Sequence, residues 1–386
     1  MRIETLLASL GCSSDEQSRV VNLPPSRAST LLFENLAEFE AADRGEYPGS
    51  TYGRYGTPSS EALEEVVAAM QGADHAIVTA SGLSAIVTTL MTFLKTGDHL
   101  LMVDSVYGPT RRFCDNVLTR FGVEITYYDP LIGAGISSLI KNNTRVVYTE
   151  SPGSLTFEVQ DIPAIAKAAR AKGCIVVSDL TWGTPLYTKP FELGAHVSIH
   201  SATKYMSGHS DLVMGTLACK KEHHRALVWT YRNMGACPSA DNCYLAQRGL
   251  RTLAVRIEQQ FKNALAVATW LKNRPEVEEV MFPPLPGAPG HELWKRDFTG
   301  GSSLFGLSLK PVSHEALAAM IDGLQFFGLG YSWGGFESLI TTFDLSKSRN
   351  ARPWPYKGQG LRLHIGLEHP DDLIADLEKG FKRLIS

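Results

Sequence analysis

Several features that would point directly to a class of function are scarce in this chain of 386 residues. Its six cysteines form no C-x-x-C pair, so neither a structural metal site nor a disulfide framework is indicated. Basic and acidic residues nearly balance, at 37 and 40, so no net field attracts nucleic acid or an anionic membrane surface. No apolar run approaches the length of a membrane span, and the G-x-G-x-x-G pattern of dinucleotide sites does not occur. We therefore expect a globular protein with a small-molecule partner.

The first ten residues also lack the pattern of a secretion signal. Glu4 places an acid where a signal peptide has none, and the apolar stretch after it is short. Cys174 and Cys219 lie inside apolar runs, as small buried hydrophobes do. We therefore expect a cytoplasmic protein, and the length predicts more than one domain.

The beginning of the chain differs in pattern from the remainder. Residues 1–57 show no sustained periodicity and are rich in Ser, Pro, Gly and Arg, which is typical of an arm that gains order on another surface, such as a second subunit. From Ser59, apolar residues recur at helical spacing between Leu63 and Met70, and Gly72 comes shortly after. This predicts an amphipathic helix.

Short apolar runs then alternate with helical stretches. The runs cover residues 76–79, 99–103, 124–128, 145–149, 175–178, 197–200 and 213–219. Such alternation predicts an α/β domain, over residues 58–250, whose mostly parallel sheet is covered on both faces. Ligands of such sheets bind beyond the carboxyl ends of the strands.

The last third of the chain changes character. A long helical segment from Asp241 to Asn273 precedes a Pro/Gly-rich break at residues 283–290, and fewer strands come after it. We assign residues 251–386 to a smaller α+β domain.

One predicted strand delivers a single lysine. Ser201 and Thr203 precede Lys204 at its end, and their hydroxyls can bind a phosphate group. A lysine amine becomes a nucleophile when burial or neighbouring positive charge lowers its pKa. The pattern is typical of a lysine that forms a Schiff base with pyridoxal phosphate, although the four residues alone also fit a solvated surface lysine.

Four further segments carry side chains suited to the same cofactor. Gly82 opens a helix whose free N–H groups can bind an anion. Tyr107, at a strand end, can stack on a flat ring, and its hydroxyl can transfer protons as a catalytic group. Asp179 ends an apolar run where a buried carboxylate needs a positive partner such as a protonated ring nitrogen. Arg362, in an alternating strand, can hold a carboxylate with its planar fork. Read singly, these patterns also fit a packed turn, a turn tyrosine, a helix cap and an outward-facing arginine.

Three pairs of neighbouring polar residues invite a different interpretation. They are Arg111-Arg112, Lys220-Lys221 and His223-His224. No carboxylate or cysteine stands at ligand spacing beside them, so we predict solvated turns or helix faces and no metal site.

Taken in order, several motifs resemble those of the Cys/Met-metabolism family of pyridoxal-phosphate enzymes. They are Ser-Gly-Leu at 81–83, Tyr-Gly-Pro-Thr at 107–110, Glu-Ser-Pro-Gly at 150–153, Ser-Asp-Leu-Thr-Trp at 178–182 and Ser-Ala-Thr-Lys-Tyr at 201–205. Three later segments look like the bacterial cystathionine β-lyase branch, namely Phe-Thr-Gly at 298–300, Tyr-Ser-Trp-Gly-Gly-Phe-Glu-Ser at 331–338 and Leu-Arg-Leu-His-Ile-Gly-Leu-Glu at 361–368. The resemblance runs nearly from end to end.

The resemblance implies the aminotransferase-like architecture known as fold type I, pyridoxal phosphate as cofactor, and a homotetramer of two close dimers. Lys204 would be the Schiff-base lysine and proton carrier, Asp179 would pair with the pyridine nitrogen, and Tyr107 would stack on the ring. The phosphate would be held by Gly82, Leu83, Ser201 and Thr203, joined by Tyr52 and Arg54 of the neighbouring subunit.

The resemblance also bears on the substrate. Arg362 would clamp its carboxylate, with Ser332 and Trp333 lining the same side. Relatives that act at the γ-carbon usually read Glu-Ser-Leu-Gly-Gly where this chain reads Tyr-Ser-Trp-Gly-Gly. Tyr331 and Trp333 therefore favour β-elimination from L-cystathionine, giving homocysteine, pyruvate and ammonia.

Two positions depart from the family pattern. Leu180 stands where asparagine is common, and Arg232 is unusual in the segment at 231–235. They leave open a broader cysteine-S-conjugate β-lyase or a cysteine desulfhydrase. A cystathionine γ-lyase or γ-synthase is a less favoured alternative, because of Tyr331 and Trp333. A non-catalytic protein that holds the cofactor is also less favoured, because Lys204, Asp179, Tyr107 and Arg362 are present together.

Overall fold

The computed structural model describes residues 1–12, 20–346 and 348–384. These residues form two β-sheets. The larger sheet has seven strands, β1 (His75–Thr79), β2 (His99–Val103), β3 (Glu124–Tyr128), β4 (Thr144–Glu150), β5 (Ile175–Asp179), β6 (Val197–Ser201) and β7 (Gly215–Cys219). All seven predicted strands are confirmed, and the last begins at Gly215 because Val213 is exposed and unpaired with the sheet.

The order of strands in the larger sheet is β1-β7-β6-β5-β4-β2-β3. Only β7 runs antiparallel to its neighbours, and the remaining pairings are parallel. The predicted mostly parallel sheet is therefore confirmed, and β2, β4, β5 and β6 end at one common edge.

Thirteen α-helices occur in the described parts of the chain. They are α1 (Ile3–Ser9), α2 (Leu36–Asp43), α3 (Pro58–Gln71), α4 (Gly82–Phe93), α5 (Gly108–Asn116), α6 (Ile162–Arg170), α7 (Thr184–Tyr187), α8 (Lys221–Met234), α9 (Ala240–Arg251), α10 (Leu253–Lys272), α11 (His291–Asp297), α12 (His314–Asp322) and α13 (Pro370–Lys382). None of them combines the length and apolar character needed to cross a membrane.

The two helices predicted in detail both form, with corrections. Helix α3 starts earlier than expected, because Thr57 rather than Ser59 caps it, and it ends at Gly72 with φ +66°. The predicted helix from 241 to 273 is two helices, since the backbone leaves helical geometry at Thr252.

A second sheet lies in the C-terminal part of the chain. Its strands are β8 (Val277–Met281), β9 (Leu304–Leu309), β10 (Phe327–Leu329), β11 (Ser338–Phe343) and β12 (Gly360–His364), in the order β10-β11-β12-β9-β8. Helices α10 and α13 pack together beside this sheet, with Phe282, Phe305 and Phe381 buried in the shared core. We propose that this sheet and its helices form the smaller C-terminal domain, which begins at residue 251. Helix α10 contributes Leu271 to the core of this sheet and Ile257 to a core beside the larger sheet.

Part of the N-terminal arm lies on its own chain. Leu7 of α1 is buried in the core that α3 and α9 share, and Arg251 donates hydrogen bonds to backbone oxygens of Leu7 and Leu10. Further along the arm, Leu32 and Leu36 are 92% and 70% exposed. The arm therefore gains some of its order within the subunit, and its contact with a neighbour stays a prediction.

Candidate active site

The carboxyl edge of the larger sheet gathers most of the predicted site. Glu150 ends β4 directly beside Asp179 at the end of β5, and Ser201 ends the next strand, β6. Tyr107 follows β2 at the start of α5. Parallel strands bring their carboxyl ends together, so residues from distant parts of the sequence meet here.

Lys204 lies in the turn after β6 and faces the C-terminal domain. Its Nζ donates a hydrogen bond of 2.9 Å to Ser332 Oγ and lies 5.0 Å from the centroid of the Trp333 ring. Burial, and to a lesser extent the charge of Arg362, lower the pKa of Lys204 to about 8 against the opposing effect of Asp179. About a tenth of the amine is therefore unprotonated at pH 7, far more than at the ordinary pKa of a lysine, and this is the form that a nucleophile requires.

Gly334 allows this close contact between the two domains. A Cβ at this position would lie 2.7 Å from the carbonyl carbon of Lys204 and the nitrogen of Tyr205, and the backbone has φ +91°. Both the space and the positive φ exclude a larger residue without a shift of the backbone. The segment with Ser332 and Trp333 is therefore held against Lys204.

Asp179 is buried and accepts two hydrogen bonds from Thr181. The Thr181 hydroxyl lies 2.6 Å and its N–H nitrogen 3.0 Å from Asp179 Oδ1. Burial raises the pKa of Asp179, against the effect of these two bonds. The side chain of Leu180, one of the departures from the family pattern, packs with Ile162 and Leu193, so the polar groups beside Asp179 come from Thr181.

Glu150 is a buried acid that sequence reasoning did not single out. Its Oε2 accepts a hydrogen bond of 2.8 Å from the N–H of Tyr107. Burial raises the pKa of Glu150 well above its usual range, and Asp179 raises it further. Two adjacent buried carboxylates do not ionise together, so we assign the proton to Glu150 and the charge to Asp179. In the sequence, the Glu-Ser-Pro-Gly motif at 150–153 was the feature that could have indicated Glu150 as a site residue.

Tyr107 presents a partly open ring at the same edge. It is 42% exposed, which leaves one face available to a ligand. Burial raises the pKa of the phenol, so the hydroxyl stays protonated at neutral pH. The predicted stacking on the cofactor stays a proposal.

The start of α4 forms a cradle beside Ser201. A Cβ on Gly82 would lie 2.8 Å from Ser201 Oγ, so glycine keeps this space open. The first N–H groups of a helix, here those of Gly82 and Leu83, have no partner within the helix and favour an anion. Thr203 differs, because its hydroxyl already donates to Met214 O at 3.1 Å and accepts from Met214 N at 3.0 Å.

Arg362 of β12 approaches the site from the other domain. Its Nη2 donates to the backbone oxygens of Tyr331 at 2.6 Å and Ser332 at 3.1 Å, whereas its buried Nε has no hydrogen-bond partner in the described structure. Burial lowers its pKa to about 10, so the side chain remains charged at neutral pH. A carboxylate would satisfy the free N–H group. The side chain of Tyr331 is 93% exposed and does not line this space within one subunit.

Tyr52 and Arg54, which were predicted to bind the phosphate, do not lie beside Lys204 within one subunit. Arg54 donates to the backbone oxygen of Arg232, and the two guanidinium groups lie 4.5 Å and 4.8 Å from the Tyr55 ring centroid. Arg54 and Arg232 line a cavity of about 600 Å³ with Trp229. Among the contacts of the described residues, none joins Tyr52 or Arg54 to Lys204, so a single subunit does not bring them together.

The prediction of solvated pairs is wrong for Arg111 and for the two histidines, whereas Arg112 is exposed as expected. Arg111 is mostly buried and lies 2.6 Å from the Asp104 carboxylate, which the sequence did not reveal as its partner. His224 stacks on His75 with ring centroids 3.9 Å apart, and His223 packs edge-on against Phe93. Over the described ranges, no group of three or more histidines, cysteines or acids could hold a metal ion.

These residues fit pyridoxal phosphate. The unpartnered Arg362 Nε suits a substrate carboxylate, the space that glycine leaves at residue 82 suits a phosphate, and buried Asp179 suits a protonated ring nitrogen. A lysine after β6 of a mostly parallel sheet, met by an arginine from a smaller domain, defines a pyridoxal-phosphate enzyme of fold type I.

Comparisons with known proteins give the family. The model of the Cys/Met metabolism PLP-dependent enzymes matches residues 4–382. The chain is 40% identical to a cystathionine beta-lyase of Escherichia coli strain K12, over 100% of this chain and 99% of that protein. It is 38% identical to an L-alanine/L-glutamate racemase of Wolbachia pipientis wMel, over 100% of this chain and 98% of that protein.

A solved structure agrees. Cystathionine gamma synthase from Xanthomonas oryzae pv. oryzae, in complex with aminoacrylate and cysteine, matches with a TM-score of 0.91 and 29% identity, covering 100% of this chain and 99% of that chain. The protein belongs to the Cys/Met metabolism family of pyridoxal-phosphate enzymes. The predicted fold class and the predicted cofactor are confirmed.

Proposed function

We propose that this protein is a carbon–sulfur lyase that cleaves L-cystathionine by β-elimination into homocysteine and aminoacrylate, which water hydrolyses to pyruvate and ammonia. The contact of 2.9 Å between Lys204 Nζ and Ser332 Oγ carries the proposal. It brings the Tyr-Ser-Trp-Gly-Gly segment onto the amine, with the Trp333 ring 5.0 Å away. Relatives that act at the γ-carbon usually have glutamate and leucine where Tyr331 and Trp333 stand, so this segment supports β-elimination.

In this proposal, some residues of the site hold the cofactor and the substrate, and Lys204 transfers protons. Pyridoxal phosphate, when bound, supplies an electron sink for the bond that breaks at the substrate Cα. Asp179 holds the positive end of the ring, and Arg362 orients the substrate carboxylate. Lys204 Nζ takes the Cα proton and returns a proton to the leaving sulfur, which its lowered pKa allows near neutral pH.

We also propose that the protein is a homotetramer in which Tyr52 and Arg54 complete the phosphate site of a neighbouring subunit. Their separation from Lys204 within one chain and the exposed Leu32 and Leu36 of the arm support this. Mixing the inactive Arg54→Ala and Lys204→Ala proteins and allowing subunits to exchange should recover activity. No recovery after demonstrated exchange would contradict the shared site.

A broader cysteine-conjugate C–S lyase or a cysteine desulfhydrase is a second candidate. The observation that favours it is the position of Arg232, which adds positive charge to the cavity that also contains Arg54. Relative kcat/KM for cystathionine, cystine and an S-alkylcysteine separates the two candidates.

The test is to give L-cystathionine to the purified protein loaded with pyridoxal phosphate and to identify the oxo acid and the amino thiol. Pyruvate with homocysteine is expected, and Lys204→Ala should lose nearly all turnover while keeping its fold. Oxobutyrate with cysteine would place the reaction at the γ-carbon and overturn the proposal. In parallel assays with cystine or L-alanine in place of cystathionine, turnover of cystine alone would favour the second candidate, and racemisation of the alanine without an oxo acid would make the protein a racemase.

A further inference from the structure

A buried histidine connects the C-terminal sheet to the segment that touches Lys204. His364 ends β12 and is 1% exposed. Its Nε2 lies 3.2 Å from the N–H nitrogen of Gly334 and 3.1 Å from the oxygen of Gly335. Gly334 is the residue whose backbone lies against Lys204. The ring is therefore one contact removed from the backbone that carries the reactive amine.

The other ring nitrogen joins a second connection to the same turn. His364 Nδ1 lies 3.1 Å from Ser303 Oγ, which lies 3.1 Å from the hydroxyl of Tyr205. Tyr205 follows Lys204 in sequence, and its hydroxyl also accepts a hydrogen bond of 3.0 Å from the N–H of Ser303. His364 thus holds both sides of the contact, the Gly334 side directly and the Tyr205 side through one hydroxyl.

The ring is suited to fixed hydrogen bonds and not to proton transfer. Burial, with smaller effects of the charges of Arg362 and Lys204, lowers the pKa of His364 to about 4 against the opposing effect of the Gly335 contact. It therefore stays neutral near pH 7, with one ring nitrogen protonated. A neutral buried imidazole with partners on both nitrogens keeps one orientation.

We propose that His364 is a positioning residue, which fixes the Ser332–Trp333 segment on Lys204 through the turn at Gly334 and Gly335. The proposal rests on the role of Lys204 that the proposed function assigns. It does not depend on which sulfur compound is the substrate. Without the contact at Nε2, Ser332 and Trp333 should move away from the amine and admit water to it.

Two substitutions at this one position separate the two connections. In His364→Gln the longer amide reaches the place of Nε2 and keeps a bond to Gly334 or Gly335. In His364→Asn the shorter amide reaches only the place of Nδ1 and keeps a bond to Ser303. The matched control is His99→Gln, because His99 is also fully buried, with bonds of 2.8 Å to Thr144 and 2.9 Å to Thr126 at the opposite edge of the sheet.

The measurement is a pH titration of the visible absorbance of the bound cofactor in the loaded protein, without substrate. In the loaded protein this titration reports the nitrogen through which Lys204 would hold the cofactor. Water near that nitrogen favours its charged form, so His364→Asn should move the midpoint upward by about 0.5–1 pH unit, as expected for the loss of one hydrogen bond. His364→Gln and His99→Gln should leave it unchanged. In the same His364→Asn protein, the relative fall in kcat should be larger than the relative change in KM.

An unchanged midpoint of the absorbance titration in His364→Asn would overturn the proposal, because His364 would then be only structural. This holds even if the thermal unfolding midpoint of that variant falls as far as that of His99→Gln. Equal shifts in the asparagine and glutamine variants would also overturn it. If His364→Asn does not fold, Ser303→Ala removes only the partner of Nδ1, so its midpoint should stay unchanged as in His364→Gln, and a shift there would count against the proposal. The titration needs no substrate, so its result is independent of the reaction proposed above.

Discussion

Replacing Asp104 with asparagine removes the charge from a carboxylate that joins the two domains. The side chain is fully buried and lies 2.6 Å from Arg111 Nη2 and 3.3 Å from Arg349 Nε. It also accepts hydrogen bonds of 3.0 to 3.1 Å from three successive backbone N–H groups, at residues 350–352. The variant keeps the shape of the side chain but leaves two buried guanidinium groups without this partner.

Removing one partner of a buried ion pair typically costs about 3–5 kcal/mol. Arg349 keeps Glu158 at 2.7 Å, and asparagine keeps one acceptor oxygen, so we expect the lower end, about 3 kcal/mol. With an unfolding entropy of about 2.1 cal/mol/K per residue, 386 residues give a fall in thermal midpoint of about 4 °C.

The effect of Asp104 also depends on pH in a defined direction. Burial raises its pKa, but the hydrogen bonds from the Asn350 N–H and from Arg111 outweigh burial and hold the pKa below its ordinary value. A lowered folded-state pKa stabilises the fold above the unfolded-state pKa of about 3.9, and this stabilisation is lost as the pH falls through the folded-state value. The difference between the variant and the natural protein should therefore be largest near neutral pH.

Thermal midpoints at one protein concentration, with saturating cofactor, measure this difference. The matched control is Asp129→Asn, which weakens a contact of 3.3 Å with Arg352 of the same segment, where both side chains are partly exposed. We expect less than about 1 kcal/mol for the control. A fall for Asp104→Asn no larger than that of Asp129→Asn, or one that persists unchanged at about pH 3, would refute this reasoning.

Three further substitutions test single contacts of the site. Arg362→Gln removes a charge that lowers the pKa of Lys204, so that pKa should rise above about 8. Amine labelling of the cofactor-free protein across pH measures it, and an unchanged pKa would show that Arg362 does not act on Lys204. Gly334→Ala should lower the thermal midpoint much more than Gly72→Ala. Both glycines have positive φ, but of the two only Gly334 has backbone within 3 Å of the new methyl group. Equal effects would mean that the backbone at Gly334 is not packed tightly against Lys204. Glu150→Gln should change the unfolding free energy by less than about 1 kcal/mol, since a protonated acid and an amide are both neutral, and a larger loss in denaturant melts would show that Glu150 is ionised.

The strands of the larger sheet could be predicted because burial on both faces leaves uninterrupted apolar runs. Asp179 and Ser201 could be predicted for the same reason, since each ends such a run. Helix α1 was not expected because seven residues are too few for a clear period, and the break at Thr252 carries no proline or glycine at that residue.

The missed residues depend on contacts between distant segments. Glu150 gains its properties from Asp179, which only the register of β4 and β5 places beside it. Arg111 looked like half of a solvated pair because the backbone groups that complete its cluster with Asp104 come from residues 350–352. His364 stood in a quoted motif, but its partners at Ser303 and Gly334 depend on the folding of the C-terminal domain.

The roles proposed for the other residues of the site depend on Lys204 as the residue that carries the cofactor. Borohydride treatment of the loaded protein fixes the cofactor to the amine that holds it, and peptide mapping by mass spectrometry then locates that amine. We expect the added mass on the peptide that contains Lys204. Attachment instead to Lys189, whose pKa is also lowered by burial and whose Nζ donates to Met70 O at 3.1 Å, would contradict the account.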